Sequence, residues 1–339
     1  MSRRPLALAL CSAFIASHAF AAEPAAANIK WSAPWKAGMS LEYATSSLTE
    51  ETQGGKTTRE LETDIEIVAI AAATDTGFLQ TWKSKPGAYR IVEMAPAQKA
   101  MVEALAAGMA GEAVEIELAK DGTVERARNA AALVGKMKAL TRPLFEKEIE
   151  AQVATLPPGQ QAARRAAAQE NTTRALDTMF SPDMAEALLL RKPTAFNGFF
   201  GIDVEPDTTY EASFEAPMPL GGPSLPMKTT FVVSVSEDDP DDLFIDFETQ
   251  ADQGKFAELV KHMGSKLSGG HVWTEAELKQ IAGVSMRDKG LFVVHRPTGV
   301  IEMFETTRTT TSDGKVKVER ERMRQLGGAH DHVWTDEAE

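Results

Sequence analysis

The chain has 339 residues, with 36 Lys and Arg against 49 Asp and Glu, a formal net charge of −13. That balance argues against nucleic acid and anionic membrane surfaces as partners, because both select for positive charge. The only cysteine, Cys11, falls within an N-terminal export signal, so the exported chain is expected to hold no disulfide, thiol nucleophile or thiolate metal site.

The signal is read over residues 1–21. Arg3 and Arg4 give its positive start, residues 6–16 its apolar stretch, and Ala19-Phe20-Ala21 the small residues that a signal peptidase reads. The apolar stretch is shorter than the roughly 20 residues that span a bilayer, and no later segment approaches that length. Cleavage after Ala21 and a periplasmic or secreted location are expected, with no integral membrane segment in the mature chain. Loss of Arg3 and Arg4 leaves 34 basic residues against 49 acidic ones, a net charge of −15.

A first unit is predicted over residues 22–127. A strand through Tyr43 is followed by a turn at Gly54-Gly55. Next, Leu61, Thr63, Ile65, Ile67 and Ala69 alternate with Glu60, Glu62, Asp64, Glu66 and Val68. A period of two with one acidic face predicts a strand with its acidic side toward water. A third strand over 77–83 completes an antiparallel meander. A helix over 95–110 and a hairpin turning at Asp121-Gly122 follow.

Residues 128–195 are predicted as a helical connector. Leu133, Met137, Leu140, Leu144, Ile149, Val153 and Leu156 form an apolar stripe, with Pro143 expected to kink the helix or start a second one. Pro157-Pro158-Gly159 breaks it. A helix with little to bury follows over 160–176, and Ser181-Pro182 opens another.

Residues 196–326 are predicted to form a second unit. Tyr210, Ala212, Phe214 and Ala216 alternate with Glu211, Ser213 and Glu215, Gly221-Gly222 makes a turn, and Phe231, Val233 and Val235 continue the pattern. After an acidic turn over 237–242 come Leu243, Ile245 and Phe247. Helices over 253–266 and 275–281 follow, the second opened by a capping box from Thr274 to Glu277. The unit ends in a hairpin turning at Thr298-Gly299. Residues 327–339 are expected to be a disordered tail.

The two units repeat one order of elements. Tyr43 and Tyr210 are 167 residues apart, as are Gly54 and Gly221. The expected fold is α+β: two similar curved antiparallel sheets, each a meander, a helix and a hairpin in tandem repeat, packed on helices and joined by the connector.

Chemical signatures are sparse. There is no Gly-x-Ser-x-Gly elbow, His-Glu-x-x-His, Walker loop or Gly-x-Gly-x-x-Gly. His330-Asp331-His332 suits zinc or copper by residue type, but it follows Gly-Gly with little apolar anchor and reads as a solvated tail. His295 reads as a satisfied partner within the sheet, and the acidic turn as a charged connection lacking the spacing of a calcium loop. No catalytic, cofactor or metal residue is assigned, and no cofactor is expected. Methionines recur on the apolar helical stretches, and this flexible side chain suits surfaces that adapt to varied apolar partners. Tyr43, Met101, Leu105, Met109, Phe214 and Met263 are the candidates for an apolar groove.

Leu41-x-Tyr43, Gly54-Gly55, Lys120-Asp121-Gly122-Thr123-Val124 and Arg296-Pro297-Thr298-Gly299-Val300-Ile301 carry a resemblance in layout. The chain resembles exported bacterial carriers of the lipoprotein-localisation type, in which a curved half-barrel wraps helices. It is more closely similar to an uncharacterised family of exported proteins built of two such units. The resemblance implies a half-barrel fold, an envelope location and, by analogy, lipid or lipoprotein binding. The expected function is therefore non-enzymatic: a periplasmic protein that binds a hydrophobic ligand, a lipid or lipoprotein acyl chain, between sheet and helices. The alternative is an envelope assembly protein whose partner is another protein. An enzyme using unidentified carboxylates is the least supported.

Overall fold

The computed structural model describes residues 28–216, 224–267, 274, 283–312, 314–330 and 332. In chain order these form β1 (Ile29–Trp31), β2 (Ser40–Gln53), β3 (Lys56–Ala73), β4 (Gly77–Ser84), β5 (Arg90–Glu93), α1 (Pro96–Met109), β6 (Val114–Ala119) and β7 (Val124–Ala127). Three helices follow: α2 (Ala130–Ala154), α3 (Pro158–Met179) and α4 (Pro182–Asn197). The chain continues through β8 (Ile202–Val204), β9 (Thr209–Ala216), β10 (Leu225–Val235), β11 (Asp242–Ala251), α5 (Gln253–Leu267), β12 (Ser285–His295), β13 (Val300–Ser312) and β14 (Lys315–Gln325). The Gly221-Gly222 turn and the helix expected over 275–281 lie outside the described residues. The connector helix, expected to kink or restart at Pro143, runs through it as one element.

The fold is α+β, but its strands form one large sheet rather than two. β7, β6, β4, β3, β2, β14, β13, β12, β11, β10 and β9 lie side by side in that order, with β5 on β3, in an open 12-stranded antiparallel sheet. β1 and β8 pair separately. The expectation of two sheets fails at β14, which pairs with β2 from Lys315↔Gln53 to Gln325↔Tyr43. A strand edge is a row of unpaired N–H and C=O groups, and this pairing satisfies the inner edge of each half at once. Gly54 and Gly55, at φ 57° and 76°, make the tight β2–β3 turn that the sequence predicts.

One face of the sheet is concave. Trp82 on β4 and Phe304 on β13 both contact the Phe196 ring of α4, with centroids at 5.2 and 6.2 Å. Four strand spacings separate β4 from β13 in the sheet order, about 19 Å on a flat sheet. The sheet therefore curls around Phe196. Trp31, Trp35, Tyr43, Phe292 and Met323 complete this core. Gly290 permits part of it, since a Cβ there would fall 2.3 Å from the Phe247 ring.

Register corrects one sequence reading. β3 pairs Glu66 with Tyr43 and Asp64 with Thr45, and directly opposed residues share a face. Glu62, Asp64 and Glu66 thus lie on the same, concave face as buried Tyr43, Val68 and Ile70, whereas Leu61, Ile65 and Ile67 are half-buried on the other face. In the second unit the expectation holds: Ala212 is buried, and Glu211 and Glu215 are exposed.

Helix α2 packs on α1, α3 and α4, and α4 lies against β7. α5 sits on β10 and β12, burying Leu259 against Leu225 and Met227. Gly327 to His330, together with His332, follow β14 and dock on Glu302, so the described part of the expected disordered tail has fixed partners. No helix among the described residues is long and apolar enough to cross a membrane.

Candidate functional site

Beyond the aromatic core the concave face is not filled. There a cleft of about 360 Å³ opens between the sheet and α1. Its apolar wall is one side of α1, presenting Val102, Leu105, Ala106 and Met109. The i, i+3, i+4, i+7 spacing of these residues places them in one helical stripe. The opposite wall is the polar part of the sheet: Thr45 and Ser47 from β2, and Glu62, Asp64 and Glu66 from β3. Lys85 and Tyr89 stand at one side, and Lys192 of α4 closes the inner end.

The charges on the polar wall are partly matched. Lys192 Nζ lies 2.8 Å from Glu66 Oε1 and 3.8 Å from Glu321 Oε2. Burial works against its ammonium, but Glu66 and Glu321 outweigh burial and raise the pKa, so the lysine stays charged. Ser47 Oγ donates to Glu321 Oε1 at 3.0 Å. Lys85 Nζ is held by both oxygens of Glu42, at 2.7 and 3.0 Å. Burial raises the Asp64 carboxyl, which hydrogen bonds from Ser84 and the Ile65 N–H only partly oppose. Burial, then a hydrogen bond to Glu62, pushes the Tyr89 phenol well above its ordinary range, so it remains a donor.

One polar atom of the lining is unsatisfied: Glu66 Oε2 is buried and lacks a hydrogen bond. Buried polar atoms are rarely left in this state. In a cleft wall, a strong acceptor without a partner marks where a bound molecule's polar group gains most.

The predicted groove residues separate. Leu105 and Met109 line the cleft, and Met101, on the same helix, is partly buried without lining it. Tyr43 does not line a groove: it is fully buried, and its hydroxyl donates to the Ile301 carbonyl at 2.9 Å. Phe214 packs on the separate cluster under α5, beside a shallower recess with Met227. The side chain of Met263 lies outside the described residues. Sequence reasoning missed Glu62, Asp64, Glu66, Tyr89 and Lys192, because alternating acids read as a wet face. The usable signal was Tyr43 and Val68: the register that buries them carries the acids with them. His295 is satisfied as expected, its Nδ1 2.8 Å from Thr298 Oγ1 within the turn.

No family model matches the chain, and no curated protein sequence matches it.

Proposed function

We propose that the protein is a non-enzymatic binder of a small amphipathic ligand, held in the cleft between sheet and α1. The ligand's apolar part lies on Val102, Leu105 and Met109, and its hydrogen-bonding or cationic head meets Glu62, Asp64, Glu66 and Tyr89. The observation that carries this reading is the buried, unsatisfied Glu66 Oε2 opposite an apolar helix stripe. At about 360 Å³ the cleft is at the low end of the range of about 300–1,000 Å³ for ligand sites. It suits a single acyl chain or compact amphiphile rather than a multi-chain lipid.

A periplasmic location and a kinship with the half-barrel carriers belong to the same reading. Sheet order supports the tandem repeat: β2, β3, β4, β6 and β7 each lie six places from β9, β10, β11, β12 and β13 respectively. An even offset preserves strand direction, as duplication requires. The assembly-protein alternative has less support, because the exposed large apolar residues Val92, Leu188, Val316 and Leu326 sit on separate elements or beyond a strand end.

Native mass spectrometry on protein recovered from its own host without detergent tests the proposal. The expected result is a one-to-one amphiphile adduct that is lost in Leu105→Arg, a substitution at a partly exposed position. A bare mass for wild type, or an adduct retained in Leu105→Arg, would refute binding in this cleft.

A further inference from the structure

The end of the sheet where β13 begins holds a second arrangement that the cleft does not use. β13 carries a bulge: Val293 pairs with Met303 and Val294 with Ile301, leaving Glu302 as the extra residue. Bulges re-aim side chains, and here Glu302 is only 2% exposed, beneath the chain that follows β14. Its Oε1 accepts the Ala329 N–H at 2.7 Å. Its Oε2 lies 3.0 Å from both His330 Nδ1 and His332 Nε2. Asp242, the first residue of β11 and 6% exposed, completes the group. Its Oδ1 is 3.1 Å from His330 Nδ1, and its Oδ2 is 3.8 Å from His332 Nε2. Despite that contact, this buried oxygen makes no well-formed hydrogen bond.

We propose that Asp242, Glu302, His330 and His332 form a binding site for a divalent cation of the zinc class. Their ligand atoms all lie within 4.8 Å of one another. Bonds of about 2.0–2.1 Å place the ligand atoms of a tetrahedral zinc about 3.4 Å apart, and the imidazole–carboxylate approaches, counted over both Asp242 oxygens, run from 3.0 to 3.8 Å around that value. Two imidazoles and two carboxylates suit zinc and its late first-row neighbours. The surroundings fit as well. His330 Nε2 lies 3.1 Å from Asp239 Oδ2, the carboxylate contact that fixes the orientation of a metal-bound imidazole and leaves Nδ1 for the ion. Arg324 donates to the His332 carbonyl at 3.0 Å and holds that residue in place. A Cβ at Gly328 would sit 3.1 Å from Glu302 Oε1, so glycine gives the segment its close approach.

Four protein ligands make a closed, structural site rather than a catalytic one with an open position. Its effect is to clamp the chain beyond β14 onto the ends of β11 and β13. On this proposal His330 and His332 hold an ion, where the sequence reads a solvated tail. The missing ligands come from the acidic turn and from the bulge, which the sequence does not place beside the histidines. The rival arrangement is an imidazolium pair held by the same carboxylates with no ion.

The test uses the full exported chain without a polyhistidine tag, stripped with EDTA, then titrated with ZnCl2 by calorimetry and with CoCl2 by visible absorption. One zinc per chain, tetrahedral cobalt bands displaced by zinc, and a melting temperature raised by zinc are expected. Asp239→Asn should weaken zinc about 10–100-fold. His332→Ala, at a side chain 18% exposed, should weaken it more than that. Absence of zinc binding by a folded wild type overturns the proposal in favour of the imidazolium pair. Equal binding by wild type and a His330→Ala/His332→Ala double variant overturns it as adventitious.

Discussion

Along β3, the residues on the concave face change from Ile70 and Val68 to Glu66, Asp64 and Glu62. The neighbouring strands change with them: Met323 gives way to Glu321 and Glu319 on β14, and Phe304 to Thr306 and Arg308 on β13. The same strands therefore build a dry aromatic core at one end and a wet, charged cleft at the other. At the first end Phe196 touches Trp35, Tyr43, Trp82 and Phe304. At the second, helix α1 stands off the sheet and faces acids. The dry core and the polar cleft are thus divided along the strands, not between the two halves of the chain.

The largest effect that would separate the two ends is expected from Phe196→Ala. Removing a fully buried ring that bridges β4 and β13 should cost about 3–5 kcal/mol, read as the shift of the urea unfolding midpoint. Leu105→Ala, in the cleft wall and partly exposed, should cost under about 1 kcal/mol in the same assay. Similar costs at both positions would mean that the cleft is core after all. An intermediate effect is expected at the boundary. Lys192→Met strands Glu66 and Glu321 facing each other across the inner end of the cleft. It should cost about 1–2 kcal/mol, below the about 3–5 kcal/mol of a fully buried pair, because 26% of the lysine side chain reaches solvent. Adding Glu66→Gln should restore part of that loss. Strictly additive losses in the double-variant cycle would show that the pair is not coupled.

The division also explains how much was legible. The meanders, the Gly54-Gly55 turn, α1, the connector and the buried face of β10 and β11 follow from period and turn chemistry, and the structure has them. β14 was missed, although it joins the halves. Its Lys315-Val316-Lys317-Val318-Glu319-Arg320-Glu321-Arg322 run carries charge on both faces, because at this end the concave face is polar too. Pattern reading assumes that one face of a strand is dry, and it fails where both are wet. The cleft was half legible for the same reason: Leu105 and Met109 announce an apolar stripe, but the acids that complete the wall look like solvent contacts. The histidine cluster was also half legible: His330 and His332 stand out by residue type, but Glu302 and Asp242, which meet them, come from a bulge and a turn remote in sequence.

The smallest predicted effect bears most directly on why the acids are there. Burial raises the Asp64 carboxyl above its ordinary range, so the folded state holds a proton more readily than the unfolded chain does. By linkage, this residue's contribution to stability is greatest below the unfolded carboxylate range and is lost as pH rises to the folded pKa. At pH 7 the ionised Asp64 is therefore a cost. Asp64→Asn keeps the shape and an acceptor but removes the charge, so it should raise the melting temperature at pH 7 by the order of 1 °C. The difference should vanish near pH 3, where wild type is also neutral. A loss of stability at pH 7 would mean that Asp64 is a stabilising partner of Lys192, and a gap that does not change with pH would mean that its charge is not the cause. If the variant is more stable yet loses the amphiphile adduct, the acid is retained for binding at the expense of folding. That is the relation expected of a ligand site set into the wall of a sheet.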